Sequence, residues 1–102
     1  MMDYSNYIAK DDVAAVKRFL KNRTVSPYFF TEEDSYITPI ATAAHYGAIG
    51  CLNVLCSYGA VSFLATQKKE TLSPLVAAIV SDQPRYIKLQ VIQILQKSGC
   101  RF

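Results

Sequence analysis

The sequence predicts an all-α fold in which three short helix pairs stand side by side as a helical repeat solenoid, joined by hairpin-like connecting loops. Three observations carry this. A capping residue, then proline, then small apolar residues occurs twice, at Thr38-Pro39 and Ser73-Pro74, 35 residues apart. A segment closing on glycine also occurs twice, at Gly59 and Gly99. Finally, residues 35–67 contain no Lys, Arg, Asp or Glu, as expected of a middle unit that neighbours cover on both sides.

The central unit, residues 36–60, has the best-marked local signals. Thr38 suits a helix N-cap and Pro39 the first helical position, where a missing N–H costs nothing. Ile40, Ala43 and Ala44 follow at helical spacing, and the alanines permit close helix approach. Gly47 and Gly50 interrupt the run and predict a turn. A second helix then carries Leu52, Leu55 and Cys56 and stops at Gly59, a left-handed cap.

The strings T-P-I-A-T-A-A-H-Y-G and V-L-C-S-Y-G-A resemble the ankyrin repeat, whose helices read T-P-L-H-x-A-A-x-x-G and L-L-x-x-G-A. Ala41 stands where the family has histidine, so the buried side-chain hydrogen bond made there is absent. The opening recurs as Ser73-Pro74-Leu75-Val76-Ala77-Ala78 and the ending as Ile94-Leu95-Gln96-Lys97-Ser98-Gly99-Cys100. Gly59 and Gly99 are 40 residues apart, which places about five extra residues in the turn at 81–85 of a third unit spanning residues 71–100.

Residues 3–24 read as a first, cap-like unit. Tyr4, Tyr7 and Ile8 line one short helix, and Val13, Val16, Phe19 and Leu20 line the next, with Lys17, Arg18 and Lys21 facing away. At an offset of 36, Asp11 falls on Gly47, Val16 on Leu52 and Phe19 on Leu55. Residues 1–102 thus form a single domain of three units.

Between the first two units lie Tyr28, Phe29 and Phe30, followed by Glu32, Glu33 and Asp34. The three rings either cover the edge of the first helix pair or form a contact surface, since aromatic anchors beside charge suit protein binding. The second loop, residues 61–72, has Lys68, Lys69 and Glu70 at its tip. In the last helix Ile87, Val91, Ile94 and Leu95 face the stack, and Ile92 widens the apolar arc to roughly 160° at ~100° per residue. Residues 86–98 therefore await either further repeats or a second copy as a homodimer.

Composition bounds the chemistry. With 51% hydrophobic residues, 19% charged residues and a net charge of +3, neither nucleic acid nor a membrane is an expected partner. No secretory signal follows Met1, which points to an intracellular, cytoplasmic setting. Cys51 and Cys56 lie about 140° apart on one helix, too far to share a metal, and an odd cysteine count leaves a thiol unpaired. The three cysteines therefore read as small buried hydrophobes. His45 is the only histidine and has no nucleophile or acid at motif spacing, so no catalysis, cofactor or metal is expected.

The ankyrin resemblance implies a protein-binding scaffold that uses loop tips and the exposed side of the first helices. Carried over, the contact residues are Asp34, Ser35, Ile37, His45 and Tyr46 from the central unit and Lys69, Glu70, Leu72, Val80 and Ser81 from the third. Tyr28, Phe29 and Phe30 join them. The alternative is a structural cap or self-association module of a larger polypeptide.

Overall fold

Capping chemistry and glycine position most of the helices in the computed structural model, which describes residues 4–30, 36–67 and 70–100. In chain order these are α1 (Tyr4–Ala9), α2 (Val13–Lys21), α3 (Pro39–His45), α4 (Ile49–Ser57), α5 (Ala60–Ala65), α6 (Pro74–Ile79) and α7 (Arg85–Lys97). The protein is all-α, with no strand among the described residues. None of these helices is long and apolar enough to cross a membrane.

α3 starts as its residues dictate. Thr38 has extended backbone, its hydroxyl accepts from the Ala41 amide at 3.3 Å, and Pro39 occupies the first turn. The turns after α1 and α3 pass through left-handed residues, Asp11 at φ 55° and Gly47 at φ 64°. Their hydrogen bonds match one for one. Asp12 N donates to Tyr7 O as Ala48 N does to Ala43 O, and Val13 N donates to Asp11 O as Ile49 N does to Gly47 O, all at 2.9 Å.

The ends of α2, α4 and α7 also match. Each is followed by a left-handed residue, namely Arg23 at φ 56°, Gly59 at 76° and Gly99 at 95°, so amides beyond the helix return to its last free carbonyls. In α2 these are Arg23 N to Leu20 O and Thr24 N to Phe19 O, and in α7 Gly99 N to Gln96 O and Cys100 N to Leu95 O.

α3 packs against α1 on one side and α6 on the other, while α4 packs against α2 and α7. Ala43, Ala44 and Ala78 are buried in this core, where small side chains permit close helix approach. Leu52, Leu55, Leu75 and Leu95 are fully buried, each worth about 1.5–3 kcal/mol. Gly50 lets the start of α4 approach the first pair, since a Cβ there would lie 2.4 Å from Val13 Cγ2.

Three expectations need correction. The third unit's extra residues fall chiefly in α7, which has 13 residues against 9 in α4, rather than in the turn. The added length has something to cover: Ile87 Cγ2 lies 2.6 Å from where a Cβ on Gly47 would stand. The second loop begins as helix α5 instead of an extended arm, because Phe63 stacks on Tyr28 with ring centroids 3.9 Å apart. Of the cysteines, Cys51 is buried but Cys56 and Cys100 are only partly so. Burial nonetheless holds all three thiols above their ordinary pKa.

Candidate functional site

A groove of about 400 Å³ runs along the first helix of each pair. Ala41 and Thr42 of α3 and Ala77 of α6 line it, with Ser5 of α1 at one side. Ile37 and Leu72 flank it, and the Leu72 amide donates to the Tyr36 carbonyl at 2.7 Å, tying their two segments together. His45, Tyr46 and Val80 complete the lining.

Local structure explains this placement. Starting α3 at Pro39 sends Ala41, Thr42 and His45 toward one side, because residues three and four apart share a helix face. Tyr46 then caps α3 before Gly47 turns the chain. The rings of His45 and Tyr46 meet edge to face, with centroids 5.1 Å apart and planes at 89°. Ile37, Tyr46 and Val80 are 53%, 49% and 64% exposed.

Among the described residues, the lining contains no Lys, Arg, Asp or Glu. Its floor of small side chains lies beneath an imidazole, a phenol and two hydroxyls. Such a surface takes an apolar side chain and orients it by a few hydrogen bonds.

The groove thus brings together five of the expected contact residues: Ile37, His45, Tyr46, Leu72 and Val80. Glu70 is exposed but lies outside the lining. Ser81 is 5% exposed, and its hydroxyl donates to Ala78 O at 2.8 Å and accepts from Gln83 N at 3.4 Å, so it holds the α6–α7 turn. Asp34, Ser35 and Lys69 lie outside the described residues.

Tyr28, Phe29 and Phe30 are only partly exposed and pack inward. Phe29 meets Phe63 edge-on at 6.0 Å, Phe30 meets Tyr4 at 5.5 Å, and the Tyr28 hydroxyl donates to Tyr58 O at 3.1 Å. Tyr28 and Phe29 clamp the first loop onto α5, and Phe30 packs it onto α1. Ser5, Ala41, Thr42 and Ala77 were missed as lining residues. The available signal was the run of small residues at helical spacing in α3 and α6.

A second cavity, of about 450 Å³, is lined by Val61, Leu64 and Ala65 of α5 and by Thr71, Pro74 and Cys100 among others. Ser73 also borders it, but its hydroxyl is buried and has no hydrogen-bond partner. That oxygen offers the cavity no polar anchor.

Asp11 is the interaction that the sequence pattern concealed. α4 has Ala48 at its N-cap and no capping side chain of its own. The Asp11 carboxylate fills that role from the preceding unit, accepting from Cys51 N at 2.8 Å and Gly50 N at 3.4 Å. The class so defined is an all-α protein with an apolar surface groove. No protein-family model, curated protein or solved structure matches the chain.

Proposed function

We propose that the chain is an ankyrin-like stack of three helix pairs that binds another protein in the groove and catalyses nothing. The architecture is supported by the two rows of neighbours, α1–α3–α6 and α2–α4–α7, and by the left-handed residues at equivalent helix ends. The single observation that carries the function is the convergence of Ile37, His45, Tyr46, Leu72 and Val80 on one groove.

The mechanism is recognition by a preformed surface. The groove's walls are fixed by helix caps and by the Leu72–Tyr36 bond, so little ordering entropy is lost when a partner seats. An apolar anchor enters above Ala41 and Ala77 while the His45 imidazole and Tyr46 phenol orient it. Three cysteines that all remain thiols accord with a reducing, intracellular setting.

Site-directed photocrosslinking tests this. A photoreactive residue in place of Tyr46 should trap a discrete partner in cells, and one in place of exposed Lys17 on α2 should not. Val80→Asp should abolish the Tyr46 adduct. Equal yields from both positions, or a yield indifferent to Val80→Asp, would reject the groove as the site.

A further inference from the structure

Three of the four prolines follow a serine or threonine, at Ser26-Pro27, Thr38-Pro39 and Ser73-Pro74. The second and third pairs start α3 and α6, and folding hides both hydroxyls: Thr38 is 0% exposed and the Ser73 oxygen is buried. Ser26-Pro27 is the same kind of pair with no helix behind it. It lies in the loop between α2 and α3, and Ser26 is exposed. The Ser26 hydroxyl oxygen accepts from the Tyr28 amide at 3.0 Å and the Phe29 amide at 3.3 Å, the bonds of a helix cap made here to a turn. Its surroundings in the chain are cationic. Lys17, Arg18, Lys21 and Arg23 are the only charged residues from 13 to 31, and all four are exposed.

We propose that Ser26 is a phosphorylation site, the acceptor for a protein kinase that selects proline at the following position. The kinase's base takes the hydroxyl proton as Ser26 Oγ bonds to the γ-phosphorus of ATP. The bond from that phosphorus to the β,γ-bridging oxygen breaks, and ADP leaves. Pro27 suits such a kinase because it has no N–H. A pocket that offers the following residue no acceptor leaves nothing unpaired over proline, whereas any other residue would bring a buried, unpaired amide.

The product is held where it forms. A phosphoserine carries about −1.5 to −2 charge and three strong acceptor oxygens. The Tyr28 and Phe29 amides already converge on Ser26 Oγ, as successive backbone N–H groups do at anion sites. Arg23, three residues back, brings a guanidinium that pairs with phosphate through two N–H groups. Engaging both ties the end of α2 to the turn that presents Tyr28 and Phe29 to Phe63 of α5. Phosphorylation therefore tightens this clamp instead of releasing it.

Incubating the folded full chain with ATP and a proline-directed serine/threonine kinase, then mapping the product by fragmentation mass spectrometry, tests this. Ser26 should be labelled at least tenfold faster than Thr38 or Ser73. Short peptides around Ser26 and Ser73 should be labelled at similar rates, because only the fold hides Ser73. Hydrogen exchange of the Tyr28 and Phe29 amides should slow at least tenfold in the phosphorylated chain. Arg23→Asn, a residue that tolerates the left-handed backbone, should cancel much of that slowing while leaving the labelling intact. An unlabelled Ser26, equal labelling of Ser73 in the folded chain, or a Ser73 peptide that the kinase refuses would overturn the proposal. So would amide exchange that is unchanged or faster after phosphorylation, or a slowing indifferent to Arg23→Asn.

Discussion

Removing the Asp11 side chain measures how much one residue couples the first two units. In Asp11→Ala the amides of Gly50 and Cys51 lose their acceptor, which costs about 1 kcal/mol on the scale of helix N-caps. The carboxylate also sits at the positive end of α4, and losing it costs about 0.5 kcal/mol more. Alanine must in addition hold φ 55°, a left-handed conformation that costs about 1 kcal/mol without glycine's freedom or a locally bonding side chain. The sum is about 2–2.5 kcal/mol, which lowers Tm by roughly 10 °C or more in a domain of this size. Asp11→Gly separates the contributions, since it loses the cap but relieves the backbone, and should cost only about 1 kcal/mol. Asp11→Asn keeps an acceptor and a side chain that tolerates φ > 0, and should cost about 0.5 kcal/mol. Urea unfolding followed by far-UV circular dichroism gives all three values. The reasoning is refuted if Asp11→Ala lies within about 0.5 kcal/mol of the parent, or if glycine proves as harmful as alanine.

Gly47→Ala should cost roughly 2–3 kcal/mol, because it combines φ 64° with a Cβ 2.6 Å from Ile87 Cγ2. Gly59→Ala, at φ 76° with nothing within 4 Å, should cost only about 1 kcal/mol; thermal melts of both compare them directly. Thr38→Ala should destabilise by about 1 kcal/mol through its lost cap, whereas Ser73→Ala should be neutral or stabilising, because it removes a buried hydroxyl with no partner. Cys51 has its thiol pushed up to about 12, first by burial and then by hydrogen bonding and charge from Asp11. The folded state therefore keeps a proton that the unfolded state releases above the usual 9.0. The stability this contributes is complete below that value and is lost as pH rises through the folded pKa. Alkylation of Cys51 near pH 8 should track unfolding, and rapid labelling of the native protein would contradict its burial.

Much of the groove was legible because its makers are short-range. Thr38 and Pro39 start α3, Gly47 ends it, and helical spacing carries His45 and Tyr46 to the groove side. Ile37, Leu72 and Val80 came only with the ankyrin resemblance. Tyr28, Phe29 and Ser81 were harder to read. A ring on a loop tip and a ring docked on another loop look alike in sequence, and only the presence of Phe63 on α5 separates them.

The amino-acid sequence by itself determined that the chain is all-α and where several of its helices start and stop, since caps, prolines and left-handed glycines act within four or five residues along the chain. Only the tertiary structure decided that Asp11 caps a helix 39 residues away, that Thr38 caps α3 while the similar Ser73 hydroxyl makes no such bond, and that extra residues lengthen α7 to cover Gly47. Each of these depends on which groups meet across units, and a hydrogen bond or an apolar contact between distant residues leaves no periodic mark on either partner's own neighbourhood.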